Sequence, residues 1–121
     1  MNAGKKTLLI GASENPARYA NMAIRALRSN EHVVFALAKR HGQVDDVEFL
    51  TEFPDEDIDT VTLYVGPPRQ HEYYQKVIDL KPKRVIFNPG TENPEFYQLL
   101  VENGIEPVEA CTLVMLSIGN Y

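Results

Sequence analysis

The sequence predicts an α/β fold: a doubly wound parallel sheet of five or six strands, order 3-2-1-4-5, with helices on both faces. Three observations carry that prediction. Short apolar or β-branched runs alternate with segments of helical periodicity along the whole chain, a rhythm that calls for βαβ crossovers and so for parallel strands. Several of the runs are continuously apolar rather than alternating, as strands covered on both faces are. The 121 residues, 44% of them apolar, suffice for one core and not two, so residues 1–121 are expected to form a single domain.

Thr7-Leu8-Leu9-Ile10 is the first strand, stopped by Gly11-Ala12-Ser13. Asn15-Pro16 reads as N-cap and first position of a helix, where proline's missing N–H costs nothing. Tyr19, Met22, Ala23, Ala26 and Leu27 then mark one helical face. Val33 to Leu37 is the second strand, Val47 to Leu50 a short third, and Pro54 to Asp57 at most one helical turn. Thr60 to Val65 is a β-branched fourth strand closed by Gly66-Pro67-Pro68. Tyr73, Tyr74, Val77 and Ile78 predict a helix that fails at Lys81-Pro82. Arg84 to Phe87 is the fifth strand. Asn93-Pro94 repeats the cap-plus-proline start, Phe96, Leu99 and Leu100 give that helix its buried face, and Gly104 suits its end. Ile105 to Val108 is a last short strand, and the apolar tail Cys111 to Tyr121 a helical turn packed on the sheet.

Composition narrows the function. The net charge of −5 argues against nucleic acid as a general partner. No stretch approaches the ~20 apolar residues of a membrane span, and the N-terminal segment has too short an apolar run for a secretory signal. One cysteine and three scattered histidines provide neither a disulfide framework nor a usual zinc cage. The expectation is a cytoplasmic protein with no metal. Its charge is uneven: residues 1–44 carry seven basic and two acidic groups, whereas 45–59 carry eight acidic and no basic ones.

In a doubly wound sheet, ligands bind beyond the carboxyl ends of the strands where the strand order reverses. Here the loop after strand one, Gly11 to Arg18, should face the loop after strand four, Gly66 to Arg69. A loop entering a helix N-terminus offers unpaired N–H groups and a positive dipole end to a phosphate. Gly11 would allow close approach and Ser13 adds a hydroxyl. The dinucleotide fingerprint G-x-G-x-x-G is absent, with Ser13 and Pro16 at its second and third glycine positions, and there is no Walker A lysine. Where NAD-binding domains carry an acid after strand two, this chain has Lys39-Arg40. Two cations favour a phosphorylated ribose, as in coenzyme A or NADP.

The combination of Gly11-Ala12-Ser13-x-x-Pro16-x-Arg18-Tyr19, the Lys39-Arg40 pair and Ile86-Phe87-Asn88-Pro89-Gly90-Thr91-Glu92-Asn93 resembles the small stand-alone CoA-binding proteins. These are similar to the CoA-binding N-terminal domain of the succinyl-CoA synthetase α subunit. The resemblance covers nearly the whole chain and implies a Rossmann-like fold that binds coenzyme A or an acyl-CoA. It implies a pyrophosphate site at Gly11, Ala12 and Ser13, with Pro16, Arg18 and Tyr19 in the same loop. It places the adenosine 3′-phosphate at Lys39 or Arg40, and Val65, Gly66 and Pro67 along the ligand. The chain departs from the family in having Ala38-Lys39-Arg40 where many relatives have an Asn-Pro-Lys-like turn, and Asp46 where a glycine is common.

The synthetase's phosphohistidine and partner domains have no counterpart here. His32, His41 and His71 qualify as catalytic candidates by residue type alone, and no nucleophile–base–orienter spacing can be assembled. The expectation is therefore a non-catalytic nucleotide-binding protein with no catalytic residues, whose partner is a small-molecule cofactor. Two alternatives remain: a small NADP-dependent oxidoreductase or redox sensor, and a protein-interaction domain with an empty pocket. Cys111 is either a small core residue or a thiol near the pantetheine end able to form a mixed disulfide with CoA. The apolar tail suggests a homodimer through Cys111 to Tyr121.

Overall fold

The computed structural model describes residues 4–121; residues 1–3, part of the N-terminal segment read above for a signal, lie outside the described residues. The strands are β1 (Lys6–Ile10), β2 (Val33–Leu37), β3 (Gln43–Val44), β4 (Val47–Leu50), β5 (Thr60–Leu63), β6 (Arg84–Phe87) and β7 (Glu106–Glu109). The helices are α1 (Tyr19–Ser29), α2 (Tyr74–Leu80), α3 (Pro94–Glu102) and α4 (Thr112–Ser117), with single 3-10 turns at Pro67–Arg69 and His71–Tyr73. No described helix is long and apolar enough to cross a membrane.

The α/β class and the mostly parallel sheet are as expected, but the strand count is corrected. The sheet has seven strands, not five or six, in the order β3-β4-β2-β1-β5-β6-β7, which differs from the expected 3-2-1-4-5 (here β4-β2-β1-β5-β6) by a further strand at each edge, β3 and β7. The unpredicted one is Gln43–Val44, which pairs antiparallel with β4 and caps that edge. Two residues around an Asp45-Asp46 turn carry no apolar period, so nothing in the sequence announced it. Asp45 sits at φ 51°, a conformation aspartate tolerates better than most residues. Asp46 takes a two-pronged bond from Arg28, Nε to Oδ1 at 2.9 Å and Nη2 to Oδ2 at 2.7 Å. The residue that departs from the family's glycine thus ties the β3–β4 hairpin to α1.

Side-chain alternation along β1 divides the core between the two faces. Leu8 and Ile10 join Val77 of α2 and Phe96 and Leu100 of α3 on one face, while Leu9 meets Ala20, Ala23, Ile24 and Leu27 of α1 on the other. The apolar tail is used partly internally: α4 packs beside α1, and Leu113, Leu116 and Tyr121 close the second cluster, while Val114 and Ile118 are exposed.

Helix α1 starts at Tyr19 with Arg18 at the cap, three residues later than the Asn15-Pro16 signal predicts. Asn15 instead makes an Asx turn: its Oδ1 accepts from the Ala17 N–H at 3.0 Å, and its carbonyl accepts from the Arg18 N–H at 3.0 Å. The buried face shifts accordingly to Ala20, Ala23, Ile24 and Leu27, and Tyr19, read as a core position, is 70% exposed. The same signal at Asn93-Pro94 works as a true cap, with Asn93 Oδ1 accepting from the Glu95 and Phe96 N–H groups. Pro54 to Asp57 forms no helical turn.

Candidate functional site

β1 lies between β2 and β5, so the loops leaving β1 toward α1 and β5 toward α2 diverge and open a cleft at the carboxyl edge of the sheet. Its volume is about 850 Å³, inside the roughly 300–1,000 Å³ usual for small-molecule sites. Four segments wall it: Gly11 to Tyr19, Leu37 to His41, Tyr64 to Arg69, and Pro89 to Thr91. Nine of the eleven residues predicted from sequence line it, namely Gly11, Ala12, Ser13, Arg18, Tyr19, Lys39, Arg40, Val65 and Gly66. Pro16 and Pro67 do not: the first is exposed in the Asx turn, and the second opens the 3-10 turn behind Gly66.

The first wall requires glycine for a packing reason. Gly11 has φ +99°, and a Cβ there would lie 2.8 Å from the Tyr64 carbonyl oxygen. Its N–H and that of Ala12 both donate to the Leu37 carbonyl at 3.0 Å, so these two donors stitch β1 to β2. The N–H groups of Ser13, Glu14, Tyr19 and Ala20 donate to nothing among the described residues. The open donors therefore sit further along the loop and on the first turn of α1, on either side of Arg18 in the chain. Asn21, 4% exposed, holds this loop in place. Its Nδ2 donates to the Ser13 carbonyl at 3.0 Å, and its Oδ1 accepts from Arg25 Nε at 2.9 Å. Sequence reasoning passed over Asn21 because it lies on the opposite side of the helix from the predicted apolar face Tyr19, Met22, Ala23, Ala26 and Leu27.

The opposite walls are fastened by Gln70, which is fully buried. Its Nε2 donates to the Val65 carbonyl at 3.0 Å and to the Thr91 carbonyl at 2.7 Å, while Oε1 accepts from Asn93 Nδ2 at 3.0 Å. One amide thus joins the loops leaving β5 and β6. Behind it, Asn88 Nδ2 donates to Thr62 Oγ1 at 2.7 Å and to the Leu63 carbonyl at 2.9 Å, and Asn88 Oδ1 accepts from the Thr112 N–H at 2.8 Å. These bonds account for the polar start of the Asn88-Pro89-Gly90-Thr91 segment. Tyr64 lines the cleft with its hydroxyl buried and without a hydrogen bond of good geometry, and that burial pushes its pKa upward.

The basic turn presents two different cations. Lys39 Nζ bonds Glu72 Oε1 and stands 5.5 Å from the Tyr73 ring centre; the Glu72 carboxylate raises its pKa above the usual lysine value. Arg40 enters no ion pair among the described residues, and neither does Arg18. Lys6 and Arg28, also in the basic third, pair instead with Glu56 and Asp46 of the acidic stretch. Lys6 and Arg28 are thus neutralised away from the cleft, while Arg18, Arg40 and Arg69 line it without an ion pair among the described residues.

Among the described residues no group of three or more His, Cys, Asp and Glu side chains could hold a metal ion. His41 lines the cleft and is exposed; His71 is exposed in its 3-10 turn, and His32 lies at the opposite edge of the sheet, before β2. Cys111 is half-buried at the cap of α4 and does not line the cleft.

A model of the CoA binding domain matches residues 5–117. The chain belongs to the CoA binding domain family. A crystal structure of an uncharacterized protein, 49% identical, superposes with TM-score 0.94 and covers 99% of this chain and 100% of its own. A hypothetical protein from Pyrococcus horikoshii OT3, 26% identical, gives TM-score 0.88 over 95% of this chain and 83% of that one. The dinucleotide-forming acetyl-coenzyme A synthetase 1 of Ca. Korarchaeum cryptofilum, in complex with phosphate and ADP, shares 13% identity at TM-score 0.73, over 88% of this chain and 25% of that one. That last likeness is one of fold. No curated protein matches the chain.

Proposed function

We propose that this domain binds coenzyme A or an acyl-CoA in the cleft and does so without catalysing a reaction on it. The observation that carries the reading is a cleft at the switch point lined by open N–H donors of the loop into α1 and by arginines without an ion pair, in a member of the CoA binding domain family. The pyrophosphate sits at the Ser13, Glu14, Tyr19 and Ala20 N–H groups with Arg18, while Gly11 and Ala12 shape the loop. The α1 dipole adds to the attraction. The 3′-phosphate meets the Lys39-Arg40 turn, with Arg40 as the first contact because Lys39 already has a carboxylate partner. The acyl-pantetheine arm runs along Val65 and Gly66 toward Pro89, Gly90 and Thr91. Binding rather than turnover is supported by a cleft walled mainly by backbone, small side chains and cations.

Isothermal titration with CoA and with NADP tests the reading. CoA is expected to bind with one-to-one stoichiometry and NADP far more weakly. Binding of NADP as tight as that of CoA would favour the redox alternative, and binding of neither would leave a protein-interaction role. Incubation of acetyl-CoA with the protein should release no free thiol beyond the protein-free control; thiol release would reject the non-catalytic reading.

A further inference from the structure

The contact between Lys39 and Glu72 stands at the edge of the cleft, which Lys39 lines and Glu72 does not. Lys39 follows β2, whereas Glu72 belongs to the 3-10 turn between β5 and α2, and β2 and β5 flank β1 on opposite sides. Two segments that diverge at the switch point are thus rejoined by one ion pair. Beside it lies a recess of about 90 Å³ whose lining includes Lys39, Phe53, Glu72, Tyr73 and Lys76. Lys39 lines this recess and the main cleft alike, so its ammonium stands where either a carboxylate on one side or an anion on the other can take it. Both side chains are largely in water, 68% exposed for Lys39 and 51% for Glu72. A pair of that kind is weak and readily exchanged.

We propose that Glu72 is an internal competitor for the ligand's ribose 3′-phosphate: it holds Lys39 toward the adjoining recess and releases it when that phosphate arrives. A phosphate monoester brings up to two negative charges and three acceptor oxygens against one carboxylate, so it wins the ammonium, and the displaced carboxylate returns to water. Glu72 therefore lowers affinity for phosphorylated ligands alone, leaving ligands without the phosphate unaffected. The inference deepens the CoA reading and rests on it.

The test is a titration of CoA and dephospho-CoA into wild type, Glu72→Gln, Lys39→Met and the double variant. Removing a surface ion pair that the ligand must break should strengthen CoA binding by about two- to fivefold. Dephospho-CoA should be unchanged, and the gain should vanish in the Lys39→Met background. Unchanged or weaker CoA binding in Glu72→Gln overturns the competition, as does an equal gain for both ligands, which would mean a general change in the cleft's field. Failure of wild type to bind CoA would instead reject the CoA reading and the competition with it.

Discussion

Replacing Gln70 by methionine should loosen the fold and the cleft together. The substitution keeps the length of a fully buried side chain but removes three hydrogen bonds, two donated to the Val65 and Thr91 carbonyls and one accepted from Asn93. The methionine sulfur cannot donate, so both carbonyls lose the partner that this fully buried amide supplies. Each buried polar group left unpaired costs about 1–3 kcal/mol. Allowing for non-additivity within one network, the loss should be about 3–5 kcal/mol, a large fraction of the ~5–15 kcal/mol that stabilises a domain. With a urea m-value of about 2 kcal/mol/M, the midpoint should fall by roughly 1.5–2.5 M. Gln70→Glu offers a second readout. Its carboxylate would face two carbonyl oxygens, so its pKa in the folded state rises above the unfolded ~4.3. That variant should be least destabilised below pH ~4.3 and lose stability relative to wild type as pH rises. A midpoint shift under about 0.5 M for Gln70→Met would refute the role given to this amide.

Gly11→Ala should cost about 1–3 kcal/mol from the backbone alone at φ +99°, and the approach of its Cβ to Tyr64 adds to that. The expected fall in Tm is about 5–15 °C in calorimetry, and a change within 2 °C would contradict the packing reason for this glycine. His32 accepts a hydrogen bond from the Lys5 N–H through Nδ1 at 2.9 Å, and its pKa lies below 6.5, first by burial and then by Lys5 and Arg84. Its folded pKa is the lower one, so the unfolded chain binds more protons: stability is full above pH 6.5 and is lost as pH falls through the folded value. Denaturant titrations at pH 7.5 and 5.5 should show this loss in wild type and a smaller one in His32→Gln; equal losses would remove His32 as the cause.

Much of the cleft was legible because its signals are local. A strand ending at Gly11 and a basic pair after the second strand each declare themselves within a few residues, and nine of the eleven predicted positions meet at the cleft. What was not legible depends on distant partners. The Asn15-Pro16 and Asn93-Pro94 pairs look alike in sequence, yet only the second caps a helix, since Asn15 closes an Asx turn instead. Gln70 is an unremarkable loop residue until the folded chain brings Val65, Thr91 and Asn93 around it. Strand β3 is too short for any period to betray, and the difference between Lys39 and Arg40 rests on Glu72, thirty-odd residues along the chain.

Whether the basic turn reads a ribose 3′-phosphate is measured most directly by titrating wild type with CoA and dephospho-CoA at fixed ionic strength. A hydrogen bond to a charged group contributes about 1.5–3 kcal/mol, so CoA should bind at least about tenfold tighter, with most of that preference lost in Arg40→Ala. Equal affinity for the two ligands would contradict the account.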